Sequence, residues 1–240
     1  MKKYMVVGAA VFLLFSVSIL FHPEDREIPT EMQGETAAER MDGEGTDHFI
    51  REGSFYRDEN GNFVFRMQKD PAFDGTAEAA GGRSDVFVLS PLDEPTENTL
   101  KQTVDTLRAG GENTSIDWET ANVLRAHLKL DYTLCGSEDP AYAGETFCRL
   151  EHLSGVYAMP VEKEGFRQTG RYCVRGEGRD GYPMDEELEI TPKGHSWYYT
   201  PPEDWKPVRR EEAACAGAKW MLSFKTEEGI REVDVVCRIF

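Results

Sequence analysis

Three patterns of apolar and polar positions follow one another along these 240 residues. The first is a run without any charged residue, positions 4–21, preceded by Lys2 and Lys3 and followed by Pro23, Glu24 and Asp25. As a helix rising about 1.5 Å per residue, its eighteen positions cover roughly 27 Å, close to the ~30 Å hydrocarbon core of a bilayer. Lysines before the run and acids after it keep the N-terminus cytoplasmic and export the rest. Residues 1–21 are therefore expected to be an N-terminal membrane anchor or a signal peptide. Ser16 and Ser18 offer small residues for cleavage, whereas Ile19, Leu20 and Phe21 extend the apolar run past them and favour retention as a single-pass anchor.

The second pattern is the near absence of apolar residues. Positions 22–48 carry nine acids, two arginines and several Gly, Pro and Thr. Such a segment cannot bury enough surface to offset the entropy of ordering, and its like charges repel, which predicts an acidic flexible linker.

The third pattern, alternation, occupies residues 49–240. Phe55 and Phe65 flank Asp58-Glu59-Asn60-Gly61-Asn62 as a hairpin signal that sets these two rings opposite each other. Asp58, Asn60 and Asn62 do not make a calcium loop, because the glycine falls at the wrong offset. A strand is expected at 85–89. Pro95, the Leu100, Val104 and Leu107 stripe and the Gly110-Gly111 stop predict a helix with a core-facing side. Ser115 or Asp117 can cap a second helix through Ala126, with Trp118, Ala121 and Leu124 on one side; Leu124 and Ala126 equally fit an earlier start to the alternating strand Leu128, Leu130, Tyr132 and Leu134. Further strands are expected at 146–153, 155–161, 166–174 and 187–191. In the last hairpin Lys225 pairs with Ile230, so Trp220 faces Val235 and Leu222 faces Val233. A shift by one residue would set Leu222 against Asp234. The fold class expected is a β-rich α+β protein: an antiparallel sheet or sandwich with one or two helices, preceded by the membrane helix and the disordered linker, with 49–68 a hairpin that can sit at the periphery.

Charge narrows the partners. The chain has 27 Lys+Arg against 44 Asp+Glu, a formal net charge of −17. Such a field repels phosphate backbones and anionic headgroups, so no nucleic acid partner is expected and membrane contact runs through the N-terminal helix alone. An envelope protein or a glycan fits as partner.

The cysteines, Cys135, Cys148, Cys173, Cys215 and Cys237, all lie in the exported part with no Cys-x-x-Cys pair, which argues against zinc and, in an oxidising compartment, for disulfides. Cys135 and Cys148 bracket a Gly, Pro and Asp-rich loop and form the first expected bridge. The hairpin register sets Ala218 opposite Cys237, and Cys173 is a partner for either Cys237 or Cys215. His22, His48, His127, His152 and His195 are scattered without metal-ligand spacing, and no nucleophile elbow or phosphate-binding loop occurs, so no catalytic residue, metal or cofactor is assigned. Residues 176–181 superficially resemble one glycine-rich calcium repeat but read as a turn. Between His195 and Pro207, stiff prolines carry Trp197, Tyr198, Tyr199 and Trp205, which are expected to form a binding platform if they face water and to cover the sheet if they fold back.

These features point to a membrane-anchored extracytoplasmic, non-catalytic protein, periplasmic or extracellular, that binds another envelope component. Two other readings compete. One is an exported wall-polymer hydrolase with Trp197 and Tyr199 stacking on substrate and an acid between 180 and 189 as catalyst. The other is a secreted soluble binding module released by cleavage of the N-terminal segment.

Overall fold

The computed structural model describes residues 50, 52–76, 78–111, 122–211, 214–227 and 229–240. The expected membrane segment, the linker and positions 115–121 of the expected second helix lie outside these residues. Among the described residues no helix is long and apolar enough to cross a membrane. In chain order the elements are β1 (Ser54–Arg57), β2 (Phe63–Lys69), β3 (Ala80–Pro91), α1 (Glu94–Arg108), β4 (Val123–Cys135), β5 (Phe147–Ala158), β6 (Arg167–Glu177), β7 (Pro183–Ile190), β8 (Ser196–Tyr199), β9 (Val208–Arg209), β10 (Cys215–Thr226) and β11 (Gly229–Arg238), with a short 3-10 turn at Pro140–Tyr142. The protein is β-rich, with antiparallel sheets and one long helix among the described residues.

The large sheet runs β1-β2-β3-β4-β5-β8, with β9 also pairing β5. Its first hairpin has the expected register, Phe55 opposite Phe65. The Asp58 carboxylate closes the loop by accepting from the backbone N–H of Asn60 at 3.0 Å and of Asn62 at 2.8 Å. Gly61 takes the left-handed conformation there, φ 80°, at little steric cost.

The second helix expected through Ala126 does not reach that far. Val123, Leu124, Arg125 and Ala126 open β4, opposite Pro91, Ser90, Leu89 and Val88 of β3. The Leu124–Ala126–Leu128 alternation continues without a break, and the ladder with β3 satisfies backbone groups that a short, weakly amphipathic helix would leave to water.

Residues expected as two strands, 146–153 and 155–161, form one, β5. Gly155 does not break it but makes room, since a Cβ there would come within 2.4 Å of the Trp197 ring. The pairing of β4 with β5 shifts once: Asp131 faces His152 whereas Tyr132 faces Leu150. Glu151 is thus the extra residue of a bulge.

The small sheet runs β11-β10-β6-β7. Its last hairpin pairs Lys225 with Ile230, Leu222 with Val233, Trp220 with Val235 and Ala218 with Cys237, as expected from alternation. The inward residues of both sheets share one core. Leu128, Leu130, Tyr132 and Leu153 from the large sheet meet Tyr172, Val174, Trp220, Leu222, Phe224, Val233 and Val235 from the small one. The buried Trp220 ring takes Trp197 edge-on at 5.3 Å between centroids and lies 6.2 Å from Tyr157.

The large sheet has a second apolar face. Phe63, Phe65, Phe87, Leu89 and Val123 project to the side away from the small sheet, and α1 lays Leu100, Val104 and Leu107 on them. The helix begins where Asp93 accepts from the Thr96 N–H at 2.8 Å and stops as Gly110 turns to φ 86°, a start and stop legible in sequence. Burying each of the three side chains contributes about 2 kcal/mol. The order of layers is therefore helix, large sheet, small sheet.

Candidate functional site

Period two decides the fate of the aromatic segment. In β8, Trp197 pairs with Gly155 and Tyr199 with Leu153, both inward positions of β5, whereas Tyr198 pairs with the outward Ser154. Trp197 and Tyr199 therefore turn between the sheets, where Tyr199 meets Tyr172 edge-on at 5.9 Å. Trp205 follows them and is only 8 % exposed, 5.4 Å from the same tyrosine. Tyr198 alone of the four presents its ring to water, 38 % exposed. It leans on His152 at 5.2 Å, and the Thr200 hydroxyl lies 3.3 Å from His152 Nδ1. The expected platform is thus mostly a lid on the core, the outcome that large rings near a sheet edge favour because burying them gains the most.

The acids at 180–189 lie elsewhere. Asp180 stands in the β6–β7 turn; of residues 176–181, expected as a turn, Gly176 and Glu177 instead end β6, opposite Met184 and Pro183. The Asp180 carboxyl is held below the usual range by Lys206, whose ammonium donates to it at 2.5 Å, and by the Tyr182 N–H. Asp185, Glu187 and Glu189 line β7 and point away from the core, bound to Arg175 and Arg171. Trp197 and Tyr199 point into it. Asp185, Glu187 and Glu189 thus open onto the outward face of the small sheet, away from these rings, whereas Glu186 pairs with the inward Val174.

All five cysteines are free thiols. The expected Cys135–Cys148 bridge is not made, and the register gives the reason: Cys135 pairs with Phe147 and Cys148 with Leu134, so the two side chains leave opposite faces of the large sheet. Cys237 is an inward residue of β11, fully buried, with its Sγ 3.5 Å from the Ser84 carbonyl. Burial pushes its thiol up to about 12, and burial likewise raises Cys148 and Cys135. Cys173 and Cys215 both face outward from the small sheet, with their Sγ atoms 3.3 Å apart. Of the two partners that alternation leaves open for Cys173, the structure brings up Cys215.

A further pair was not visible in the sequence. His127 Nε2 lies 2.8 Å from Asp85 Oδ1 between β3 and β4, with the imidazole stacked on Phe87 at 4.0 Å. Arg83 forks onto the same carboxylate at 2.5 and 2.6 Å. Burial is the largest single influence on Asp85 and would raise its pKa, yet the hydrogen bonds from His127 and Arg83 together hold it below the ordinary value of 3.8. The ring is fully buried, so this cluster pins two strands from within the fold. Its signal would have been polar residues at outward strand positions. Alternation puts Asp85 at a strand start and His127 after an expected helix, so the sequence does not bring them together. Among the described residues no three His, Cys, Asp or Glu come together to hold a metal ion.

The chain matches no family model, no curated protein and no solved structure. The outward face of the small sheet is mainly charged. Its rows carry Arg167, Arg171 and Arg175 on β6, Lys219 and Lys225 on β10, and Arg238 on β11. Against them stand Asp185, Glu187 and Glu189 on β7 and Glu232 and Asp234 on β11. The opposite charges meet across strands: Arg175 with Asp185 at 2.8 Å, Arg171 with Glu187 at 3.2 Å and Glu189 at 3.3 Å, Lys219 with Asp234 at 2.7 Å. Half-buried Met221 and Val236 and the two outward cysteines lie among these pairs.

Proposed function

We propose that the chain is a non-catalytic binding protein, held on the outer side of a membrane by residues 1–21 and lifted from it by 22–48, which docks a protein component of the envelope on the outward face of its small sheet. One observation carries this reading. On a chain of formal charge −17, this face balances its basic and acidic side chains in cross-strand pairs around a thin apolar strip. A partner protein can approach it without the repulsion that the whole chain exerts on other anions, and fixed charges of alternating sign select orientation more than they add affinity. The inward turn of Trp197 and Tyr199 and the burial of Trp205 support a docking face on the sheet in preference to the aromatic segment.

Cross-linking of the full-length chain in its native membranes tests this. The expected result is a cross-linked partner attached through Lys219 or Lys225, lost when Arg171→Glu and Arg175→Glu are combined while the thermal melt is unchanged. A partner recovered equally by that variant, or attached only through lysines away from this face, overturns the proposal.

A further inference from the structure

Cys173 and Cys215 sit on neighbouring strands but not directly across from one another. In the register of β6 with β10, Cys173 faces Gly217 and Cys215 faces Arg175. The two thiols are diagonal neighbours on one face, a relation that in a regular antiparallel pair leaves the Cα atoms about 7–8 Å apart and the Cβ atoms somewhat closer. Here the sulfurs have nonetheless closed to 3.3 Å. The residue opposite Cys173 is Gly217, which carries no side chain; a Cβ there would strike the Cys237 carbonyl oxygen at 2.4 Å. Both thiols are partly exposed, whereas Cys135, Cys148 and Cys237 are buried.

The surroundings make the two sulfurs unequal. The two thiols share a hydrogen bond in which either can donate; with that bond, and with positive charge from Arg238 and Arg175, Cys215 is lowered from the usual thiol range despite its burial. Cys173 is raised, chiefly by that hydrogen bond, then by burial, with Glu187 adding to the effect and Arg238 opposing it. A partly exposed thiolate beside arginines, with a second thiol within reach, is the arrangement that thiol–disulfide exchange uses.

We propose that Cys173 and Cys215 are a redox-active dithiol that is oxidised to an intramolecular disulfide by exchange with a low-molecular-weight disulfide of the glutathione type. The Cys215 thiolate attacks one sulfur of RS–SR, forming Cys215–S–S–R and expelling RS⁻. Cys173, giving its proton to that first RS⁻, then attacks Cys215 Sγ; the Cys173–Cys215 bond forms and the second RS⁻ leaves, taking up the proton that Cys215 had released. Two protein thiols are oxidised and one RS–SR is reduced to two RSH. Closing from 3.3 Å to the S–S bond moves the sulfurs together by about 1.3 Å and draws the two strands locally toward the Cα separation a disulfide spans, below about 7 Å. The dithiol lies on the face assigned to docking, but its chemistry needs no protein partner, so either assignment can fail without the other.

The experiment uses the full-length purified chain, equilibrated in a buffer of mostly oxidised glutathione, quenched with acid, alkylated under denaturing conditions and mapped by mass spectrometry. The expected result is three alkylated thiols and one disulfide joining Cys173 to Cys215, with none formed in mostly reduced glutathione. In Cys173→Ser, glutathione is expected to accumulate on Cys215. In Cys215→Ser, Cys173 is expected to take up glutathione at least tenfold more slowly. Five alkylated thiols in the oxidising buffer, or a disulfide that includes Cys135, Cys148 or Cys237, overturns the proposal. Glutathione appearing on Cys173 as fast as on Cys215 overturns the assigned order of attack. Should either variant fail to fold, the titration of the unaltered chain still decides whether the pair is oxidised.

Discussion

The two sheets meet their surroundings in opposite ways. Outward positions of the large sheet near α1 are Phe63, Phe65, Phe87 and Leu89, and a helix covers them. Outward positions of the small sheet are mainly charged, and they pair with each other across strands. The same backbone alternation serves both, so the difference lies in side chains alone. An apolar outward row requires another layer, and a charged one is complete in water. The contrast also separates roles: the covered face holds the molecule together, and the open one is the docking face proposed above.

The largest break in this contrast comes from the core that both sheets share. Trp220→Ala removes the ring on which Trp197 and Tyr157 pack, and is expected to cost about 4 kcal/mol, with both sheets melting in one transition by denaturant titration. Separate transitions for the two sheets would show that the core is less shared than its packing indicates.

Next is the buried carboxylate beneath the helix. Asp85→Ala takes away the group that His127 and Arg83 both hold and is expected to cost about 3 kcal/mol. The sign of its pH dependence follows from its lowered pKa. Its stabilising contribution is complete above the ordinary value of 3.8 and drains as pH falls through the lower folded value. In Asp85→Asn the acid limb of the stability profile below about pH 4 is therefore expected to be shallower than in the unaltered chain. An equally steep limb would place the acid sensitivity in other carboxylates.

Val104→Ala, at the centre of the covering helix, is expected to cost about 2 kcal/mol by chemical denaturation. At the small end of the scale, Arg171→Ala on the open face is expected to leave the denaturation midpoint unmoved, because exposed ion pairs contribute little. A measurable loss there would mean that the charged face supports the fold as well as the encounter.

What could be read from sequence was local. The Phe55–Phe65 register, the Leu100–Val104–Leu107 stripe and the pairing of Lys225 with Ile230 each depend on residues close in the chain, where turn chemistry and alternation act directly. The direction of Trp197 and Tyr199 was not legible, because it depends on which residues of β5 they pair with, 42 and 46 positions away. The same limit hid the Asp85–His127 pair. It also left the choice between Cys215 and Cys237 open, since the face of a strand that turns inward is settled only once its neighbours are known. Residues 123–126 satisfy both a helical and an alternating pattern, and only the ladder with β3 separates the two.

The bulge at Glu151 has a consequence for insertions and deletions. Before it, Cys148 and Leu150 face the core from even-numbered positions; after it, Leu153 and Tyr157 do so from odd ones. Glu151 works as a change of parity written into one letter. A chain shortened by that residue alone would keep its composition and nearly all its local preferences, yet half of β5 would present its hydrophobic side to the wrong layer.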